Sequence, residues 1–210
     1  MQAVTHAHGS AGTSFSATYL AEAREIVDRI DVDDIELMAT ILAGVRRDGG
    51  RLFVVGVGGG AGHASHAASD LRKVAGFEAY APSDNVSELT ARANDDGWDR
   101  IYSDWLIGSR LAQKDAILVF SVGGGDEARG ISVPLVRAVD LARSRGAKVL
   151  GVVGRDGGYT ARYADACVII PNVQPSNVTS HTESFQALVW HLLIAHPLLR
   201  ANEMKWESVP

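Results

Sequence analysis

Four side chains that can bind a metal ion or move a proton lie on two segments with helical periodicity. His66 and Asp70 are four residues apart, which places them on one face of a helix. Glu183 and His191 lie on a second predicted helix near the end of the sequence. Together the four supply the nitrogen and oxygen ligands that Zn²⁺ or another divalent ion accepts. The alternative for the first pair is a His–Asp hydrogen bond on a solvated helix face, with His63 on the opposite, solvated face.

Two glycine clusters follow short apolar runs and are candidates for binding a small molecule. One spans residues 56–60 and the other residues 123–125. Glycine lets the backbone approach a ligand closely and point its amides at it. The first cluster reads G-V-G-G-G-A, which is not a dinucleotide fingerprint, and neither cluster continues into the Gly-Lys-Ser/Thr of a phosphate-binding P-loop. Tight strand-to-helix turns also require glycine, so each cluster alone is weak evidence.

The elements that carry these residues alternate between strand and helix patterns. Predicted strands lie at residues 52–57, 77–81, 116–121, 149–153 and 166–170, and predicted helices lie near residues 61–75, 98–112, 133–145 and 179–200. This alternation predicts an α/β fold, a three-layer αβα sandwich with a five-stranded parallel, flavodoxin-like sheet. Ligands of such sheets bind at the carboxyl ends of the strands, where both glycine clusters lie.

The N-terminal region is predicted to have two parts. Residues 1–14 are polar and are expected to form a flexible arm, whereas residues 15–48 show helical spacing of apolar side chains in two segments. An Asp before the second segment is typical of a helix N-cap. We expect one domain over residues 15–210, with the two N-terminal helices available for oligomerisation.

Composition narrows the functional classes. The chain has 210 residues, a formal net charge of −5 and no Lys/Arg run, which argues against direct nucleic-acid binding. A single Cys167 excludes a disulfide framework and a Cys-based zinc site. No window approaches the length of apolar residues that a membrane helix needs, so the sequence predicts a soluble, cytoplasmic protein.

Several motifs together resemble the sugar isomerase (SIS) domain, and within it the phosphoheptose isomerases that act on sedoheptulose 7-phosphate. Residues 56–60 stand at the family's G-N-G-G-S, and residues 66–71 match its H-x-x-x-E-L. The most specific match is N-V-S-E-L-T-A-R-A-N-D at residues 85–95, which resembles N-S-S-H-L-T-A-V-A-N-D. Residues 153–158 resemble T-G-x-x-G-G, and His191 stands at the family's essential histidine.

The resemblance implies an aldose–ketose isomerase that moves a proton between C1 and C2 through an enediol. It implies Asp70 and His191 as the catalytic acid and base, and it implies a Zn²⁺ or other divalent ion on His66, Asp70, Glu183 and His191. A one-residue shift in the alignment would replace Glu183 with Thr182. It further implies a homotetramer with sites at subunit boundaries. The implied substrate-binding residues are Val57, Gly58, Gly59, Asn94, Asp95, Ser121, Val122, Gly123, Arg129, Ser132 and Glu183.

The chain departs from this family at positions that bear on the substrate. Asp70 is one methylene shorter than the family's Glu, and Val57 and Gly60 replace an Asn and a Ser. The phosphate loop, S-T-S-G-N-S in the family, begins S-V-G-G-G-D at Ser121 and loses two hydroxyls. Residues 123–131 are interpreted as an inserted loop, with Ser132 as the helix cap and Arg129 available to pair with phosphate. The alternatives are therefore a non-catalytic sugar-phosphate sensor or tetrameric adaptor, or an SIS enzyme with a changed substrate.

Overall fold

The computed structural model describes residues 14–204, and its centre is a five-stranded sheet. The strands are β1 (Leu52–Gly56), β2 (Ala79–Tyr80), β3 (Ala116–Ser121), β4 (Lys148–Val153) and β5 (Ala166–Ile169). They are all parallel and stand in the order β2-β1-β3-β4-β5. The predicted flavodoxin-like sheet is therefore confirmed, with β2 shorter than the apolar run suggested.

Eight α-helices surround the sheet in the described part of the chain. They are α1 (Phe15–Arg29), α2 (Val32–Arg47), α3 (Gly59–Lys73), α4 (Val86–Asp95), α5 (Ile101–Gly108), α6 (Val133–Ser144), α7 (Gly158–Tyr163) and α8 (Val178–Ala195). Helix α4 was not among the predicted helices, because only Leu89 and Ala93 of its 10 residues pack against the core and neither is fully buried, so its apolar face is short. The expected arm falls almost wholly on residues 1–13, which lie outside the described residues. Ser14 is already the N-cap of α1, since its Oγ accepts a hydrogen bond from Ala17 N.

Alternating strand residues build one core on each face of the sheet. On β1, Leu52 and Val54 pack toward α2, α3 and α8, whereas Phe53 and Val55 pack toward α5 and α6. All five residues of β1 are buried, which is the pattern of a strand covered on both faces. Helices α3 and α8 therefore lie side by side on one face, where their side chains can meet.

The N-terminal helices are fixed onto the same face by polar contacts. The Asp31 carboxylate accepts a hydrogen bond from Asp33 N at 2.9 Å and caps α2, as the sequence predicts. On α1, Glu22 accepts hydrogen bonds from Asn177 and from the His181 ring, each at 2.8 Å, and these bonds lower the pKa of Glu22. Helix α1 is thus tied to the start of α8.

One buried ion pair ties β1 to the segment before β3, and its loss is expected to destabilise the fold. The fully buried Asp115 carboxylate accepts bonds from Arg51 N, the Arg51 guanidinium and Ala112 N. Asp115→Ala should lower the free energy of unfolding by about 3–5 kcal/mol, because it breaks the ion pair with Arg51 and leaves the Arg51 and Ala112 amides without an acceptor. Urea denaturation of both proteins at pH 7 measures this difference.

The same pair predicts a pH dependence for that difference. Burial alone would raise the pKa of Asp115, but the bonds from Arg51 and Ala112 outweigh it and hold the pKa below its usual value. A lowered pKa in the folded state stabilises the protein above the unfolded pKa of about 4, and this contribution disappears as the pH falls. The difference in stability between the two proteins should therefore shrink as the pH falls below about 4, and a constant difference would contradict the assignment.

Candidate functional site

The two helices on one face of the sheet bring three of the four predicted ligands together. His66 Nε2 lies 3.4 Å from Asp70 Oδ2, and His191 Nε2 lies 3.6 Å from the same oxygen. The three ligand atoms all lie within 4.8 Å of one another. The two imidazole rings are nearly perpendicular, with centroids 5.6 Å apart. We call His66, Asp70 and His191 the His/Asp cluster.

The central oxygen of this cluster lacks a hydrogen-bond partner within residues 14–204. Asp70 is 5% exposed, and its Oδ2 is fully enclosed without a donor. A buried carboxylate oxygen without a partner is costly, since it has lost water and gained nothing in return. A divalent cation between the carboxylate and the two imidazoles would remove that cost, and the donor set suits Zn²⁺. The residues present therefore fit the metal that the sequence implies.

The backbone of α8 fixes which nitrogen of His191 faces the cluster. The ring nitrogen Nδ1 donates to Ala187 O at 2.7 Å, one helical turn earlier. Because a neutral imidazole carries one proton, Nε2 is left with a lone pair directed toward Asp70. Ligating histidines are usually oriented by such a bond from the other ring nitrogen.

A third histidine, His63, lies beside the cluster, although the sequence predicted that it would be solvated. Gln186 is completely buried and donates from Nε2 to Val152 O, so its Oε1 accepts from His63 Nδ1 at 3.0 Å. The His63 ring also packs against Trp190, with centroids 5.1 Å apart. The prediction failed because His63 and His66 are three residues apart, and that spacing places them on neighbouring positions of one helix face.

Trp190 supports the cluster from within the core. It is 2% exposed, and its ring lies 5.3 Å from the His66 ring and 4.9 Å from the His191 ring. The sequence predicts Trp190 as a core or interface residue, and the structure places it in the core under both histidines. This packing restricts the ring positions on the outer surface of α3 and α8.

The fourth predicted ligand, Glu183, lies two turns before His191 on α8. A Cβ placed on Gly59 would be 2.5 Å from Glu183 Oε1, so the carboxylate lies over the first turn of α3. Negative charge is favourable there, because the N-terminus of a helix carries partial positive charge. Thr182 instead packs in the interior against Gly154. Glu183, and not Thr182, therefore belongs to the outer surface that α3 and α8 share.

A cleft of about 810 Å³ opens at the carboxyl ends of the strands, where the glycine clusters lie. Its lining contains six predicted substrate-binding residues: Val57, Ser121, Val122, Gly123, Arg129 and Ser132. It also contains Arg155, Tyr159 and Arg162, which the sequence analysis did not single out as site residues. The T-G-x-x-G-G resemblance at residues 153–158 was the signal that pointed to this loop.

The inserted loop between β3 and α6 closes on itself. Asp126 and Ile131 exchange two backbone hydrogen bonds of 2.9 Å, and Arg129 Nε lies 3.3 Å from Asp126 Oδ2. Arg129 thus forms an exposed ion pair with the acid of its own loop, and its pairing with phosphate stays a prediction. Ser132 is the N-cap of α6, as predicted, but its side chain makes no capping bond within the described residues. Its hydroxyl remains available to the cleft.

Five of the predicted substrate-binding residues lie outside the cleft lining: Gly58, Gly59, Asn94, Asp95 and Glu183. Asn94 and Asp95 are both exposed in the last turn of α4, and Asn94 Nδ2 donates to Asp95 Oδ1 at 2.7 Å. Gly58 and Gly59 lie at the start of α3, under Glu183 and next to the cleft-lining Val57.

Known proteins resemble this chain over most of its length. Residues 18–154 match the family model described as the SIS domain. A phosphoheptose isomerase from Chlorobaculum parvum is 32% identical over 192 residues, covering 88% of this chain and 85% of that protein. The lincomycin biosynthesis protein LmbN of Streptomyces lincolnensis is 31% identical, covering 90% of this chain and 71% of that protein.

A solved structure shows the same fold. Phosphoheptose isomerase GmhA from Neisseria gonorrhoeae superposes with a TM-score of 0.75 at 24% identity, covering 86% of this chain and 95% of that one. No helix in the described part of this chain is long and apolar enough to cross a membrane. With the matched domain and relatives above 30% identity, the chain belongs to the SIS-domain family and is phosphoheptose isomerase-like.

Proposed function

We propose that this protein is an aldose–ketose isomerase that converts sedoheptulose 7-phosphate, or a closely related sugar phosphate, into the aldose phosphate. The observation that carries the proposal is the His/Asp cluster, in which an orphaned buried carboxylate oxygen faces two imidazoles. Moving a proton next to a carbonyl needs a base on one side of the substrate and a proton donor on the other. Asp70 and His191 supply these two groups.

His191 is the better placed of the two to exchange a proton with substrate. Its side chain is 44% exposed, whereas that of Asp70 is 7% exposed. Its Nε2 carries the one lone pair of the ring, because Nδ1 donates to Ala187 O. This lone pair accepts the proton from carbon or binds a divalent ion, but it does not do both at once. Asp70 holds the resulting imidazolium by its negative charge. Glu183, whose carboxylate makes no hydrogen bond within residues 14–204, is proposed as a further substrate or metal ligand.

A divalent ion, which we propose to be Zn²⁺, would be held by His66, Asp70 and His191. When bound, such an ion polarises the carbonyl oxygen and stabilises negative charge that develops on it. The perpendicular imidazoles leave their outer side open to solvent, where a sugar can approach. The side chains of His66 and His191 are both substantially exposed, which fits a site that a substrate reaches from outside.

The distance between cleft and cluster supports a long substrate. Val57 lines the cleft two residues before α3 begins, and His66 lies seven residues along α3 from Gly59. At 1.5 Å per residue this separation is about 10 Å along the helix. An extended seven-carbon chain with a terminal phosphate is also about 10 Å long, judging from C–C bond dimensions. One end of a heptose phosphate can thus reach the cluster while the other lies in the cleft.

We further propose that subunits associate as a homotetramer over the face that carries the cluster. Leu188 and Leu192 are exposed on α8 beside His191, and Leu20 and Val27 are exposed on α1. Apolar side chains that adjoin one another on a surface are typical of interaction sites. A second copy packed there would enclose the exposed histidines and place the site at a subunit boundary. Such an enzyme of sugar metabolism would act in the cytoplasm.

The test is turnover of sedoheptulose 7-phosphate by untagged protein with its metal content measured on the same sample. We expect about one divalent ion per chain and formation of the aldoheptose phosphate, followed by proton NMR of the anomeric signals. A bound metal without turnover would favour the second candidate, an SIS enzyme with a changed substrate, which the missing loop hydroxyls already suggest. Neither metal nor turnover would favour the sensor or adaptor.

A further inference from the structure

Three acids and three arginines line the cleft at the strand ends. Asp126 pairs with Arg129 at 3.3 Å and Glu127 pairs with Arg137 at 2.8 Å, whereas Asp156 accepts a hydrogen bond from Gly158 N at 3.2 Å and keeps its negative charge. The other two arginines of the lining, Arg155 and Arg162, have no hydrogen bond or ion pair within residues 14–204. The cleft thus presents two guanidinium groups whose N–H donors are free to bind an anion.

Arg155 lies directly across the loop that has lost its hydroxyls. A Cβ placed on Gly123 would be 3.5 Å from Arg155 Cδ and 3.8 Å from Arg155 Nε. A larger side chain at residue 123 would therefore compete with this arginine for the same space. The serine that remains, Ser121, already accepts a hydrogen bond from Gly124 N at 3.0 Å. Gly123 stands where the resembling family has a serine, and the absence of a side chain there leaves space for the side chain of Arg155.

The position of Arg155 is fixed by contacts between two backbone loops. Gly124 O accepts from Thr160 N at 2.9 Å, and Gly125 O accepts from Tyr159 N at 2.9 Å. Gly124 has a positive φ and approaches Gly157 too closely to carry a side chain. The loop after β4 is thereby held against the loop after β3, with Arg155 between them. Its φ of 54° is in the left-handed region that non-glycine residues rarely adopt, a conformation that concentrates at functional sites.

We propose that Arg155, with Arg162 as its companion, binds the phosphate of the substrate in place of the loop hydroxyls. A guanidinium donates two parallel hydrogen bonds to phosphate oxygens and remains charged at every physiological pH. The inference rests on the proposed function, because it assigns the phosphate end of the same substrate. It makes Arg155 a specificity-determining residue, and it leaves proton transfer to the His/Asp cluster.

The test compares Arg155→Gln with Arg110→Gln. Arg110 is a matched control, since it is exposed, has the same φ of 54°, and lies before β3 at the opposite end of the sheet. Arg155→Gln should raise KM for sedoheptulose 7-phosphate by about 10- to 100-fold, the effect of losing a charged hydrogen bond, while kcat changes far less. Arg110→Gln should leave both unchanged. Arg155→Lys should recover only part of the KM, because an ammonium cannot form the paired bonds.

A binding measurement separates this inference from the proposed function. Titration calorimetry with inorganic phosphate at constant ionic strength should show binding to the wild type and to Arg110→Gln, and about tenfold weaker binding to Arg155→Gln. If phosphate binding depends on Arg155 but no isomerisation occurs, the proposed function fails and this inference stands. Equal phosphate affinity and equal KM in Arg155→Gln and the wild type would overturn the inference and leave the isomerase intact. No phosphate binding by the wild type would also overturn it.

Discussion

Replacing His191 with alanine is expected to lower kcat/KM for isomerisation by about 10²- to 10⁴-fold, the usual contribution of a general acid or base. The variant removes the ring nitrogen that faces Asp70 Oδ2 at 3.6 Å and that is left unprotonated by the bond from Nδ1 to Ala187 O. It also removes one of the three proposed metal ligands, so the metal content should fall. Steady-state kinetics and metal analysis of the same preparation measure both effects.

His196→Ala is the matched control for this variant. His196 follows the end of the same helix, but it pairs with Glu36 at 3.2 Å and has no contact with the cluster. It should retain nearly all activity and all bound metal, and it is expected to be less stable than the wild type because it loses the pair with Glu36. If His191→Ala retained full activity, the His191 imidazole would have no part in the proton transfer.

Asp70→Asn should lower activity by a similar factor, because it removes the negative charge between the two imidazoles. The amide has nearly the shape of the carboxylate, so the fold is expected to remain, but the negative charge between His66 and His191 is lost. Zinc should then raise the melting temperature of the wild type and fail to raise that of the variant, because a ligand stabilises only the state that binds it. Activity should fall by about 10²-fold or more, since the imidazolium of His191 loses its counter-charge.

Asp70→Glu provides the matched comparison, because it keeps the charge and restores the residue type found in the resembling family. It should retain zinc binding, and its rate reports whether the shorter side chain is adapted to this site. If zinc stabilises Asp70→Asn as strongly as the wild type, Asp70 is not a metal ligand.

The fold could be predicted from the sequence because its central strands are fully buried. Runs such as residues 52–57 and 116–121 consist of apolar and small residues on both faces, which occurs when helices cover a parallel sheet on both sides. The five-stranded parallel, flavodoxin-like sheet was predicted from the alternation of strand and helix patterns and is confirmed. Helix α4 was not predicted, because its apolar face consists only of the half-buried Leu89 and Ala93.

The His/Asp cluster could be predicted in part. The i,i+4 spacing of His66 and Asp70 predicted their common face, and the family resemblance implied His191, which the structure brings beside them from a helix more than 100 residues away in the chain. The position of Glu183 over α3 depends on the relative translation of two packed helices, which no local pattern encodes. Its role as a ligand stays a prediction.

Two of the three arginines in the cleft lining, Arg155 and Arg162, were missed for a different reason. Arg129 was proposed as a phosphate ligand because it lies in the inserted loop; its guanidinium forms an exposed ion pair with Asp126, and its role stays a prediction. Arg155 stands at a variable position of the T-G-x-x-G-G motif, so no sequence pattern selected it. Whether its guanidinium can bind phosphate depends on whether it is already in an ion pair, and ion pairs form only in the folded chain.

Hydrogen exchange at the reacting carbons is the measurement that tests the central claim most directly. Sedoheptulose 7-phosphate would be incubated in D₂O with the wild type and with His191→Ala, and the product would be followed by NMR. An enediol route predicts deuterium at C2 of the aldose phosphate, formed by the wild type and almost absent with the variant. Aldose formed equally by both proteins, or deuterium incorporated equally by both, would contradict proton transfer at the His/Asp cluster.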